Sequence, residues 1–195
     1  MADRFDYVIV GAGTAGCVLA NRLTACGTYS VCLLEAGPPD WNPMIHIPAG
    51  FIKTLVNPSV NWMYQSEAST GTNGRAIPMP RGKVLGGSSS INGLIFNRGQ
   101  KMDFDVWAQK GNRGWSYDDV LPYFRRYERH EDSVDARYRG QNGEMTITNL
   151  AWRDPLCEAF IEALRASAFR ATPIIMVPIK KEHLTSSALR PVNYG

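Results

Sequence analysis

The chain has 195 residues, 44% hydrophobic and 20% charged, which is typical of a globular protein with enough apolar side chains for a real core. Its formal net charge is only +3, and residues 1–169 carry equal numbers of basic and acidic groups. The main body therefore has no excess of basic residues that would indicate a nucleic-acid partner. The polar N-terminus and the lack of a long apolar run argue against a signal peptide and a transmembrane segment, and we expect a cytoplasmic protein.

The first elements in the chain are predicted to be a strand, a tight turn and a helix. The apolar, β-branched run FDYVIV covers residues 5–10, GAGTAG follows, and CVLANRL over residues 17–23 has helical spacing. Gly11 permits the turn, Gly13 lets a pyrophosphate approach the backbone, and Gly16 lets helix and strand pack closely. The pattern therefore favours a bound phosphate at the start of this helix.

A second apolar strand over residues 30–34 ends in Glu35, about 20 residues after the glycines, which is the spacing of a dinucleotide fold. A carboxylate at this place is expected to accept hydrogen bonds from ribose hydroxyls, and it favours a ribose without a 2′-phosphate. The alternative is a glycine-rich turn in an ordinary α/β sheet. We expect a dinucleotide site.

The next elements are a long connection and a second glycine-rich segment. Residues 41–73 are rich in Pro, Gly and Asn, with short helical turns predicted around residues 50–56. The segment PRGKVLGGSSSIN then begins at Pro80. Its glycines, Gly82, Gly86 and Gly87, lack the Cβ atoms that would keep a ligand away, and Ser88, Ser89, Ser90 and Asn92 are short hydrogen-bonding side chains. This segment is predicted to cradle a polar ligand.

The rest of the main body is predicted to have a structural role rather than a role in binding or catalysis. Helices are expected over residues 103–110, 117–128 and 155–168, and a short strand over residues 144–149 is expected to begin a substrate-side sheet. The charged run RRYERHED, which contains His130, resembles a solvated helix end. Arg125 and Arg126 are likewise assigned to the solvated side of that helix.

The histidine and cysteine side chains are the other candidates for catalysis or metal binding. His46 lies in a glycine- and proline-bearing loop, and a structural role is favoured over a role as a base. The four cysteines, Cys17, Cys26, Cys32 and Cys157, have no CxxC or metal-ligand spacing, and buried free thiols are expected for Cys17 and Cys32. No metal ligand is predicted.

The motifs together resemble the glucose-methanol-choline (GMC) oxidoreductases, especially their choline dehydrogenase-like and alcohol dehydrogenase-like members. The resemblance rests on DYVIVGAGTAGCVLANRL, LLEAG, HIPAGF, NWMY, PRGKVLGGSSSIN and GWSYDDVLPYFRRYE, in this order from Asp6 to Phe169. It implies an α/β fold, an incomplete Rossmann-like FAD-binding domain of the glutathione-reductase type with the beginning of a substrate domain. The FAD contacts that it implies are Gly11, Gly13, Thr14, Ala15, Glu35, Ala36, Trp62, Arg81, Gly82, Val84, Gly86, Gly87, Ser88, Asn92, Gly93, Leu94 and Ile95.

The resemblance also implies an activity and a mode of cofactor binding. Some choline oxidase-like members carry a histidine, covalently joined to the flavin, where this chain has Ile91, so FAD is expected to be held noncovalently. The family oxidises a primary alcohol, choline-like or other, by hydride transfer to flavin N5. Its catalytic histidine lies far toward the C-terminus, so we assign no catalytic residue here and expect the chain alone to be inactive. The electron acceptor is left open.

Two alternatives to an alcohol oxidoreductase remain. One is a non-redox member of the same family, such as a lyase or photodecarboxylase, that keeps the flavin. The other is a non-catalytic FAD-binding remnant or interaction protein. Bleaching of the flavin by a primary alcohol would separate the oxidoreductase from both.

The tail over residues 170–195 differs from the main body, residues 1–169, because it has no periodicity and carries the net positive charge. Codons for residues 171–183 could encode NPDYNGANQEGA, close to the family's loop at this place, in a shifted frame. We therefore expect a frameshifted tail. The alternative is a genuine short paralogue with a divergent end.

Overall fold

A computed structural model describes residues 4–131, 135–149 and 153–166. These residues form two compact units, one over residues 4–94 and one from residue 95 onward. The predicted boundary at residues 169 and 170, and the predicted frameshifted tail, lie outside the described residues. None of the described helices combines the length and apolar character needed to cross a bilayer.

The first unit begins with the predicted strand, turn and helix. Strand β1 (Tyr7–Val10) leads into helix α1 (Thr14–Thr24), and strand β2 (Val31–Leu34) pairs in parallel with β1. The helix begins three residues earlier than predicted, and Gly16 lies inside it. A Cβ atom on Gly16 would lie 1.9 Å from the carbonyl oxygen of Gly11, so only glycine lets the helix pack this close to the turn.

The two strands carry exposed apolar side chains. In the part of the chain that the structure describes, β1 and β2 pair only with each other. Val10 is 84% exposed, and Val8 and Leu34 are also exposed. Cys17 in α1 and Cys32 in β2, both predicted to be buried, are only half-buried. Within the described residues, the two strands therefore do not enclose a core of their own.

The core of the first unit instead lies in the connection and the second glycine-rich segment. Ile45, Val60, Val84 and Ile91 form one buried cluster. Short helices α2 (Pro43–His46) and α3 (Phe51–Thr54) surround it, with 3₁₀ turns at Pro48–Gly50, Thr70–Thr72 and Gly87–Ser90. Strands β3 (Tyr64–Gln65) and β4 (Pro78–Met79) form an antiparallel ribbon. The helical turns predicted around residues 50–56 are confirmed, and helical structure begins earlier, at Pro43.

The second unit contains three helices and a short parallel strand pair. Helices α4 (Lys101–Gln109) and α5 (Tyr117–Tyr127) match the predicted helices within two residues at each end. Helix α6 (Pro155–Ala166) begins where predicted, and the last two residues of the predicted helix, 167 and 168, lie outside the described residues. Strand β5 (Glu128–His130) pairs with strand β6 (Met145–Ile147), which confirms a strand within residues 144–149. Ser116 caps α5, since its Oγ accepts a hydrogen bond from the backbone N–H of Asp119.

The prediction of a solvated helix end at RRYERHED is wrong for two of its residues. Arg125 and Arg126 are exposed, as predicted, but the helix ends at Tyr127, and Glu128 and His130 are buried in β5. Glu128 accepts hydrogen bonds from Arg98 Nε at 2.9 Å and Arg139 Nη1 at 3.1 Å. Because these two cations compensate its charge, Glu128 can be buried in a strand.

Candidate functional site

The two glycine-rich segments of the sequence meet in the structure. The backbone N–H of Gly86 donates to the carbonyl oxygen of Ala12 at 2.8 Å, and Gly13 and Gly86 form a parallel bridge. The turn after β1 and the second glycine-rich segment thus form one surface at the carboxyl ends of β1 and β2. This edge is where open α/β sheets bind their ligands.

The glycines at this junction have two different roles, close packing of backbone and exposure of backbone to the cavity. A Cβ on Gly87 would lie 2.8 Å from the Cα of Gly13, and one on Gly82 would lie 2.1 Å from the carbonyl oxygen of Gly87. These glycines make room for neighbouring backbone rather than for a ligand. A Cβ on Gly13, by contrast, would meet its nearest neighbouring atom, the Cα of Gly87, only at 4.0 Å, and Gly13 borders open space.

That open space is a cavity of about 580 Å³, which is within the range of cofactor sites. Nine of the predicted contacts line it: Gly11, Gly13, Glu35, Ala36, Trp62, Arg81, Gly82, Gly87 and Ser88. Three further lining residues, Val10, Leu34 and Tyr64, were not predicted. Val10 and Leu34 end their strands immediately before the predicted contacts Gly11 and Glu35, and Tyr64 follows Trp62 by two residues in NWMY, so nearness to predicted contacts in the sequence is the signal that could have identified them.

The other predicted contacts do not line this cavity. Thr14 and Ala15 lie in the first turn of α1, Val84 is in the core, and Gly86 joins the two segments. The remaining ones belong to the segment predicted beside the flavin ring: Asn92, Gly93, Leu94 and Ile95. Within it, Asn92 Oδ1 accepts from the backbone N–H of Leu94 at 3.1 Å.

Glu35 holds the two turns that border the cavity. Its Oε2 accepts a hydrogen bond from the backbone N–H of Ala12 at 2.8 Å, and its Oε1 accepts one from Gly37 at 3.0 Å. Each carboxylate oxygen keeps further acceptor capacity, so a ribose hydroxyl can still bind. Burial, and then the nearby Glu35 charge, raise the pKa of the Cys17 thiol, which therefore stays protonated and donates to the Ala12 carbonyl oxygen at 3.3 Å.

The serines of the second segment mainly fix its own turn. Ser89 Oγ donates to the carbonyl oxygen of Gly86 at 2.6 Å, and Ser90 Oγ donates to that of Leu85 at 2.7 Å. Ser88 alone of the three lines the cavity, and its Oγ accepts from the backbone N–H of Gly82 at 3.0 Å. That these serines bind a ligand stays a prediction.

An aromatic pair and an arginine complete the cavity wall. The rings of Trp62 and Tyr64 are stacked, with centroids 5.8 Å apart and planes 4° from parallel. Arg81 supplies a positive charge to a wall that also includes the glycine turn before α1, and both features favour an anionic ligand. His46 lies outside this wall, with Nε2 2.6 Å from the backbone oxygen of Asp40, in agreement with the predicted structural role.

The sequence of this chain is similar to that of a known protein family. The family model described as GMC oxidoreductase matches residues 5–186. The oxygen-dependent choline dehydrogenase of Vibrio vulnificus is 44% identical over 174 residues, covering 88% of this chain and 31% of that protein. The alcohol dehydrogenase (acceptor) of Pseudomonas putida is 42% identical, covering 82% of this chain and 29% of that protein. The chain thus spans about a third of the length of these relatives.

Solved structures show the same fold. Pyridoxine 4-oxidase from Mesorbium loti superposes with a TM-score of 0.76 at 38% identity, over 84% of this chain and 32% of that one. A formate oxidase variant from Aspergillus oryzae, studied for its FAD modification, superposes with a TM-score of 0.75 at 31% identity, over 85% of this chain and 31% of that one.

Proposed function

Because this chain belongs to the GMC oxidoreductase family, we propose that its cavity binds FAD and that the chain supplies the cofactor-binding part of an alcohol-oxidising enzyme. The observation that carries the proposal is the junction of Gly13 with Gly86 beside a cavity of cofactor size. At this junction, the turn after β1 leaves backbone open to a ligand at the N-terminus of α1.

The residues of the cavity fit the parts of FAD. Gly11 and Gly13 would contact the pyrophosphate, where Arg81 adds a positive charge. Glu35 would accept hydrogen bonds from the adenosine ribose. FAD, when bound, supplies the acceptor for a hydride at flavin N5. We propose a primary alcohol, choline-like or other, as the hydride donor, supported by the names of the two dehydrogenase relatives.

Alcohol oxidation is tested by adding a primary alcohol in the absence of oxygen and measuring whether the visible absorbance of the bound flavin is bleached. The chain alone is expected to hold FAD but not to be bleached by choline or other primary alcohols, because no residue of it is assigned as the base. A chimera, in which this chain replaces the matched segment of the Vibrio vulnificus choline dehydrogenase, is expected to be bleached. A chimera that holds FAD but whose flavin is bleached by none of the primary alcohols would instead favour a non-redox or non-catalytic role.

The mode of FAD attachment is a separate prediction. Ile91 is fully buried in the core and has no nucleophilic atom, so it cannot form a covalent bond to the flavin. Heat or acid denaturation of the flavin-loaded chain should therefore release a yellow supernatant, identified as FAD by chromatography. Colour that remains with the precipitated polypeptide would contradict noncovalent binding, and a protein purified in folded form without flavin would contradict the FAD site itself.

A further inference from the structure

We propose that Arg98, through its pairing with the buried Glu128, is a positioning residue for residues 92–95, called here the flavin-flanking segment. This inference rests on the proposed FAD site, because the sequence motifs predict that the flavin ring lies beside this segment. Arg98 is not proposed to touch the ring. It holds the chain immediately after Ile95, the last residue that is predicted to contact the ring.

The chain after the flavin-flanking segment alternates between exposed and buried side chains, as in a strand. Ile95 is 60% exposed, Phe96 is 7% exposed, and Asn97 is exposed again. The Arg98 side chain then returns to the interior, where it is only 8% accessible. Because successive side chains of an extended chain point to opposite faces, a displacement of the Arg98 anchor must also displace Ile95.

Phe96 supplies the apolar part of the anchor. It forms a buried cluster with Ile147, and Tyr127 and Met145 pack against this cluster. The rings of Phe96 and Tyr127 meet edge to face, with centroids 6.2 Å apart and planes at 71°. Since burial of apolar surface is not directional, a further contact with defined geometry is needed to fix the orientation of the chain.

Arg98 supplies that directional contact. Its Nε donates to Glu128 Oε1 at 2.9 Å, and its Nη1 donates to the backbone oxygen of Tyr138 at 2.6 Å. Its guanidinium carbon lies 5.0 Å from the centroid of the Phe124 ring, a cation–π contact. A planar guanidinium held from β5, from α5 and from the turn at Tyr138 has little freedom to rotate, whereas a lysine ammonium could not make all of these contacts.

The acceptor of this contact is fixed as well. Glu128 is fully buried, and its Oε2 accepts from the backbone N–H of Gly140 at 3.2 Å. Arg139 Nη1 donates to Glu128 Oε1 at 3.1 Å from the other side. The anchor is therefore formed by the chain itself before any ligand binds, and such preorganisation lowers the entropic cost of binding.

The backbone of the flavin-flanking segment requires support of this kind. Leu94 has a φ of +61°, in the left-handed region that a leucine rarely adopts. Asn92 Oδ1 accepts from the backbone N–H of Leu94 at 3.1 Å and so supports the turn from its N-terminal side. A strained conformation persists only where its surroundings hold it, and Phe96 and Arg98 hold the chain on the C-terminal side.

The test compares Arg98→Met with its matched control, Arg139→Met, in the full chain. Each substitution removes one of the two arginines that pair with Glu128, so both variants are expected to lower the free energy of unfolding. Only Arg98 follows the flavin-flanking segment in the chain. Arg139 also lies 5.8 Å from the centroid of the Phe96 ring, and methionine keeps an apolar contact there.

Arg98→Met is expected to raise the Kd for FAD about 3- to 10-fold, the effect of losing roughly one hydrogen bond. At saturating FAD it should also shift the visible absorption and change the fluorescence of the bound flavin. The Kd for ADP should stay at the wild-type value, because this half of FAD is proposed to contact Gly11, Gly13 and Glu35 instead. Arg139→Met should leave both Kd values and the flavin spectrum unchanged. Arg98→Lys, which keeps the charge, should lie between wild type and Arg98→Met.

Three results would contradict the inference in different ways. A wild-type chain that folds but binds neither FAD nor ADP would overturn the proposed function and this inference with it. Binding of both ligands, with flavin spectra that change equally in Arg98→Met and Arg139→Met or in neither, would overturn the positioning role alone. If circular dichroism shows that Arg98→Met does not fold, Arg98→Lys decides, and a flavin spectrum and a Kd for FAD equal to wild type would then overturn the positioning role.

Discussion

Gly13→Val is expected to abolish FAD retention while leaving the fold intact. A Cβ atom on Gly13 would lie 4.0 Å from its nearest neighbour, the Cα of Gly87, which is an ordinary van der Waals contact. The Cβ of valine therefore fits without displacing neighbouring backbone, and the branched side chain is expected to fill the place proposed for the pyrophosphate. The ratio of flavin to protein absorbance after purification measures the loss, and circular dichroism measures the fold.

Gly16→Ala provides the matched comparison. Its added Cβ would lie 1.9 Å from the carbonyl oxygen of Gly11, so helix α1 must move away from the turn. Gly16→Ala should lose FAD and also unfold at a lower temperature. Gly13→Val should lose FAD with its thermal unfolding midpoint unchanged. Equal flavin content in wild type and Gly13→Val would contradict the proposed position of the pyrophosphate. A Gly13→Val protein that fails to fold would show that this glycine serves packing instead.

The strand, turn and helix at the N-terminus could be predicted from the sequence because their signals are local. The apolar run before Gly11 and the acid at Glu35 lie within one β-α-β unit, and the structure confirms this order. The different roles of the glycines could not be predicted in the same way. Gly87 contacts the backbone of Gly13, more than 70 residues earlier in the sequence, and only the folded chain brings the two together.

Strand β5 was missed for a related reason. Its residues Glu128, Arg129 and His130 are charged or polar, so the sequence pattern favours a solvated segment. The partner that makes burial possible, Arg98, is 30 residues away from Glu128 in the chain. A local sequence pattern does not reveal an ion pair between residues this far apart. Tertiary contacts therefore determine that residues 128–130 form a buried strand.

Glu128→Gln is expected to produce the largest loss of stability in the second unit. Glu128 is fully buried and pairs with Arg98 and Arg139, whose side chains are also largely buried, and its Oε2 accepts from the backbone N–H of Gly140 at 3.2 Å. Removal of this charge leaves two guanidinium groups in a poorly solvated place without their counter-ion. Breaking a buried pair in this way costs about 3–5 kcal/mol. Urea unfolding of the whole chain, followed by circular dichroism, measures the free energy of unfolding.

Asp135→Asn is the control for the Glu128 prediction, because it also removes one carboxylate from a pair with arginine. The pair of Asp135 and Arg137 is exposed to solvent, with 43% and 79% of the two side chains accessible, so water already screens it. The free energy of unfolding should then change little. Equal losses in the two variants would show that burial does not set the contribution of Glu128. A stability of Glu128→Gln within about 1 kcal/mol of wild type would show that the two arginines find other partners or solvent when the charge is gone.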